Sequence, residues 1–172
     1  MTICIALLRA VNVGGTGKLP MAKLKTLCRD IGFTQVQTYI ASGNVVFETS
    51  LSETKAKAAL ERGLLAHVGK PVGVVLRSAA GMSDVLKANP FPKAPPNLTV
   101  AIFLDKAPPA DALKHAIGVS SEEMRRGKRE IYVHYPDGQG RSKLRIPAAK
   151  SGTARNMNTI AKLVEMASAR RL

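Results

Sequence analysis

The chain has no tryptophan, and its three tyrosines and four phenylalanines amount to only 4% of 172 residues. That scarcity counts against a base-stacking platform of the RNA-recognition type, which presents several exposed rings. Cysteine occurs twice, Cys4 in an apolar run and Cys28 in a helical pattern. Both read as small buried hydrophobes, and their spacing fits no metal motif. The three histidines, His67, His115 and His134, are too scattered to converge on a metal, so no metal is expected. No stretch approaches the ~20 apolar residues of a membrane helix. The first apolar run is short and has no basic flank ahead of it, unlike a signal peptide. A cytoplasmic protein without a membrane partner is expected. Acidic residues are scarce too: 12 against 26 lysines and arginines, a net charge of +14.

What is present is ordinary for a folded chain. Hydrophobic residues make up 45% and charged residues 22%, enough to bury a core without staples. The positive charge is uneven: from Arg141 to Leu172 there are eight basic residues and one acidic residue, Glu165. Such an excess draws a protein to polyanions without base specificity, and salt weakens the attraction. The same run equally describes a solvated face that aids solubility.

Thr2–Leu8 reads as a strand apolar on both faces, with Ile3, Ile5 and Leu7 on one and Cys4, Ala6 and Leu8 on the other. Pro20 opens a helix whose stripe is Met21, Leu24, Leu27, Cys28 and Ile31, closed by Gly32. Gln35–Ile40 and Val45–Glu48 form a hairpin through Ala41-Ser42-Gly43-Asn44. Ser52 caps a helix running to about Val68, Val72–Arg77 is a strand, and Ser78 caps a short helix to Ala88. This first part is β-α-β-β-α-β, a ferredoxin-like succession. The proline-dense stretch Pro90–Pro96 marks a boundary, giving subdomains 1–90 and 91–172.

The second part offers a strand over Leu98–Leu104, a short helix over Pro109–Ile117 and a hairpin turning near Arg126-Gly127-Lys128. Asp137-Gly138-Gln139-Gly140 makes a further turn. A closing helix runs from about Asn156, with Arg170 and Arg171 at its negative end.

Three polar segments stand out. Leu7–Lys18 runs from a strand through a glycine-rich loop towards a helix start, with Arg9, Asn12 and Lys18 near Gly14 and Gly15. Backbone N–H groups in such a corner hold anions. The glycines fit neither the dinucleotide fingerprint nor the nucleotide-triphosphate loop, and a tight reversal explains them equally well. Gly138-Gln139-Gly140-Arg141-Ser142-Lys143 combines flexible backbone, a hydroxyl and two cations. Thr153-Ala154-Arg155-Asn156 sits where the last helix starts, which suits either an anion or a plain N-cap on Thr153 or Asn156. Ser42 and Asn44 lie at a strand–turn–strand hairpin. That is not the strand–turn–helix setting of a nucleophilic serine, and Ser42 has no partnered base. No general base can be named, so the sequence leaves open whether the protein is an enzyme.

The stretches Leu8–Gly15, Tyr39–Phe47, Asn89-Pro90-Phe91, Gly140–Leu144 and Thr153–Thr159, in this order, resemble the bacterial domain-of-unknown-function family numbered 1697. The resemblance implies a compact α+β fold of two related subdomains, and it brings no established reaction, cofactor or catalytic residue. Met157 stands where the family often has tryptophan, and Gly81 where an acidic residue is common. Most of the shared residues are in loops, a placement that favours a ligand site over packing.

The expectation is two related subdomains packed over a shared cleft. Arg9, Asn12, Gly14, Gly15, Ser42 and Asn44 would line one side, and Arg141, Ser142, Lys143, Arg155 and Asn156 the other. A small phosphate- or carboxylate-bearing ligand would bind there, held by arginine forks and backbone N–H groups. The alternative is a nucleic-acid-binding module using the basic C-terminal third. No cofactor is specified, and the oligomeric state is open.

Overall fold

A computed structural model describes residues 1–9, 19–40 and 43–170. It is a mixed α+β structure, with two four-stranded antiparallel sheets and four α-helices among the described residues. Internal contacts divide the chain into two units: Met1–Met82 with Leu163–Leu172, and Ser83–Lys162.

The first unit contains β1 (Thr2–Leu8), α1 (Met21–Ile31), β2 (Thr34–Tyr39), β3 (Asn44–Thr49), α2 (Glu53–Val68) and β4 (Val74–Ser78). Its sheet order is β2-β3-β1-β4. The two-sided apolar pattern of β1 is satisfied as the alternation requires. Cys4, Ala6 and Leu8 enter a core with Leu24 and Cys28 of α1 and Ala56, Leu60 and Leu64 of α2. Ile5 and Leu7, on the opposite face, are fully buried as well. Each fully buried leucine contributes roughly 1.5–3 kcal/mol.

Helix ends follow the local chemistry. Gly32 takes φ +106° and ends α1 by donating its N–H to Arg29 O; Phe33 then stacks on Phe47, with ring centroids 4.1 Å apart. Ser52 Oγ accepts from Lys55 N at 3.2 Å, and Gly69 ends α2 at φ +84°. The β2–β3 pairing shifts between Thr34 and Gln37, where Gln35 adopts φ +50°. A period-two reading gives no sign of that bulge.

The second unit holds β5 (Thr99–Phe103), β6 (Glu123–Arg126), β7 (Glu130–His134) and β8 (Thr153–Asn156), in the order β6-β7-β5-β8. Ile131, Val133 and Tyr135 point into its core with Val100, Leu104, Ala112 and Ile146. The division between units falls inside α3 (Ala79–Lys87) and inside α4 (Met157–Ser168).

Two expectations need correction. The helix expected over Pro109–Ile117 is only a 3-10 turn at Ala112–His115. Ala112 is the one residue of that turn fully packed into the core, too little apolar face to sustain so short a helix. Thr153–Asn156 is a strand, β8, antiparallel to β5, and not the loop before a helix. Four residues carry no readable periodicity, and β5 supplies the pairing. Arg170 lies at the C-terminal end of α4, as expected, and its guanidinium also reaches β2 and β3. Its Nη2 donates to Gln37 Oε1 at 3.0 Å and to Val46 O at 3.2 Å, with Nη1 3.9 Å from Glu48. Arg171 lies outside the described residues.

The two sheets correspond strand for strand, β1 with β5, β2 with β6, β3 with β7 and β4 with β8. The register extends this to single residues. Arg77 of β4 lies opposite Ile5 of β1, and Arg155 of β8 lies opposite Ala101 of β5. Both arginines are buried, and each donates from Nη1 to the carbonyl of its preceding residue at 2.9 Å. The next residue in each strand then caps a helix. Ser78 Oγ accepts from Gly81 N at 3.0 Å, and Asn156 Oδ1 accepts from Thr159 N at 2.9 Å.

Candidate functional site

In the second unit, residues 118–122 and 135–143 enclose a cavity of about 250 Å³. Two features hold these loops. Ile117 and Arg145 exchange backbone hydrogen bonds at 2.9 and 2.8 Å. Ser121 Oγ donates to Asp137 Oδ2 at 2.8 Å, tying one loop to the other. Gly118 makes the crossing feasible. It sits at φ +71°, and a Cβ there would lie 2.1 Å from Lys143 O. Only glycine fits so close a backbone approach in that conformation.

The cavity brings together three residues that the sequence singled out, Arg141, Ser142 and Lys143. Arg141 and Lys143 are exposed, and among the described residues neither side chain has a hydrogen-bonding or ion-pair partner. Ser142 is oriented by its own turn: its Oγ accepts from Leu144 N at 3.1 Å and its N–H donates to Gln139 O at 3.1 Å. Sequence reasoning missed the rest of the lining, chiefly Glu122, Asp137 and Tyr135. Tyr135 is buried, and its phenol is pushed above the ordinary value by that burial and then by the Glu122 carboxylate. It is a protonated donor across the physiological range. For Asp137 a signal did exist, since acids are rare in this chain and it directly precedes the glycine-rich turn, whereas Glu122 reaches the lining only through the fold.

Asn12, Gly14, Gly15 and Ser42 lie outside the described residues. Arg9 belongs to the first unit; it is exposed, and its N–H donates to Gly73 O at 2.9 Å, extending the β1–β4 ladder. Asn44, fully buried in the first unit, donates from Nδ2 to Tyr39 O at 3.0 Å across the β2–β3 hairpin.

Arg155 and Asn156 are in the second unit but do not line the cavity. The Arg155 guanidinium donates to Thr153 Oγ1 at 2.7 Å and to Ala154 O, and burial lowers its pKa to about 10. Asn156 is the α4 cap. Arg77 and Arg155 hold corresponding places at their strand ends, each followed by a helix-capping residue, a correspondence that single-strand reading does not reveal.

Larger hollows exist in the first unit. One of about 490 Å³ lies between α1 and α2, beside Lys23, Leu27 and His67. Another of about 530 Å³ lies along β2, beside Lys25 and Arg29. Neither contains a residue selected from the sequence.

The fold and the cavity define an α+β protein whose two sheets share one strand order and whose second sheet carries a charged hollow on its loops. The chain belongs to a family of proteins of unknown function, DUF1697, whose family model matches residues 1–132. A solved structure, that of the conserved bacterial protein SP0830 from Streptococcus pneumoniae, is similar with a TM-score of 0.80 at 24% identity. The match covers 96% of this chain and 98% of that one. At that identity the likeness speaks for the fold alone. No curated protein matches the chain.

Proposed function

We propose that the cavity at Arg141, Ser142 and Lys143 binds a small ligand bearing a phosphate or carboxylate. The observation that carries this reading is the pair of cations that have no partner among the described residues, set with a hydroxyl around one hollow of about 250 Å³. Arginine offers a planar fork that matches an oxyanion in bidentate fashion, and lysine adds a mobile point charge. The loop geometry supports the reading as well, because a pinned loop loses less entropy when it closes on a ligand. The β-α-β-β-α-β succession with the order β2-β3-β1-β4 supports a ferredoxin-like description of the first unit. The test is thermal unfolding of the full chain with millimolar inorganic phosphate or acetate at low ionic strength. A rise in melting temperature that Arg141→Ala abolishes supports the site. No rise in either anion refutes it.

The net charge of +14 favours a second reading, non-specific binding of nucleic acid. Heparin or duplex DNA retention that vanishes at moderate salt and survives Arg141→Ala would favour it.

A further inference from the structure

We infer that the ligand of this cavity is zwitterionic, carrying an ammonium group as well as its carboxylate or phosphate. The inference rests on the anion-binding reading above and deepens it.

The chain has only 12 acidic residues among 172, yet two of them, Glu122 and Asp137, line this one small hollow with Arg141 and Lys143. Their charges balance those of the two cations. A site meant for a bare anion gains nothing from two carboxylates in its wall, because each repels the ligand that the cations attract. In a protein this basic, their presence calls for a ligand with a positive end.

The carboxylates are also held for the purpose. Ser120 N donates to Glu122 Oε2 at 2.9 Å, and Ser121 Oγ donates to Asp137 Oδ2. Among the described residues, Glu122 Oε1 and Asp137 Oδ1 have no donor, so each carboxylate keeps one oxygen for a ligand. No ion pair among the described residues closes Arg141 or Lys143 onto Glu122 or Asp137, although all four face one cavity. Opposite charges that share a hollow without collapsing onto each other leave room for a molecule with separated charges. Its anionic end would face Arg141 and Lys143, and its ammonium Glu122 and Asp137. The Tyr135 hydroxyl adds a neutral donor on the lining.

The test compares pairs of compounds that differ by the ammonium alone: β-alanine against propionate, and 4-aminobutyrate against butyrate. Affinities are measured by NMR titration of the full chain at low ionic strength. The amino acid of at least one pair is expected to bind about two- to fivefold tighter than its partner, the range for contacts between exposed charges. In the double variant Glu122→Gln, Asp137→Asn that advantage disappears, and the plain carboxylates bind more tightly as repulsion is removed. If the carboxylates bind wild type as tightly as the amino acids and Arg141→Ala weakens both equally, the zwitterion inference is overturned and the anion site stands. If neither series binds wild type, both fall. The wild-type comparison needs no variant, so a folding defect does not blur the outcome.

Discussion

Replacing Gly118 with alanine puts a methyl group where the backbone carbonyl of Lys143 already sits, 2.1 Å from the new Cβ. The loop cannot yield there by rotating a side chain, since the obstacle is main chain. Two costs combine. Alanine at φ +71° costs about 1 kcal/mol for the left-handed conformation. Relieving the clash separates the loops and strains the two Ile117–Arg145 hydrogen bonds, each worth about 1 kcal/mol net. The total is about 3 kcal/mol, or roughly 6–12 °C in melting temperature for a chain of this size.

Gly69→Ala is the matched control. Gly69 ends α2 in the left-handed conformation at φ +84°, with nothing within 4 Å of its Cβ position, so it carries only the conformational cost of about 1 kcal/mol. Both substitutions are made in the full chain and followed by calorimetry. Equal losses for the two variants would refute the claim that a close backbone approach pins the cavity loops. Gly118→Ala is also expected to abolish whatever anion-dependent stabilisation the wild type shows.

Further predictions concern pH, caps and one buried hydroxyl. Burial pushes the Cys28 thiol up to about 12, and burial with the Glu53 carboxylate pushes Cys4 up to about 11. Above pH ~8.5 the unfolded thiols lose protons while the folded ones keep them, so stability falls as pH rises from there towards 11–12. A melting temperature flat from pH 8 to 11 would contradict this, and in the native state neither thiol should react with iodoacetamide at pH 7.5. Ser78→Ala and Asn156→Ala each remove one N-cap acceptor at corresponding places and should cost about 1 kcal/mol apiece by urea denaturation. The hydroxyl of Tyr132 donates to Val85 O at 2.8 Å, serving a carbonyl in the last turn of α3. Tyr132→Phe should cost about 1–2 kcal/mol, and a neutral result would mean that water replaces the bond.

Local chemistry was legible from the residues. The alternation in β1, the stripe of α1 closed by Gly32, the Ser52 and Ser78 caps and the hairpin at Arg126-Gly127-Lys128 are each set by neighbours within a few positions, and sequence displays those directly. Family membership was legible too, through ordered motifs spread along the chain. Features set by distant partners were not. Thr153–Asn156 is a strand only because β5 lies beside it, and Pro109–Ile117 fails as a helix because little of it reaches a core. Arg155 looked like a ligand-binding residue by its type and its place before a helix. Its hydrogen bonds to Thr153 and Ala154 appear only once β8 is formed.

The cavity divides in the same way. Glycine, arginine, serine and lysine packed into 138–143 pointed to anion chemistry, because donor type and backbone freedom are properties of the residues themselves. That Glu122 and Asp137 face those cations is a tertiary fact. It depends on the Ile117–Arg145 pairing and on a glycine at 118 that lets two main chains touch. Charge and propensity belong to the chain, whereas which charges meet is decided by backbone hydrogen bonds between segments more than fifteen residues apart.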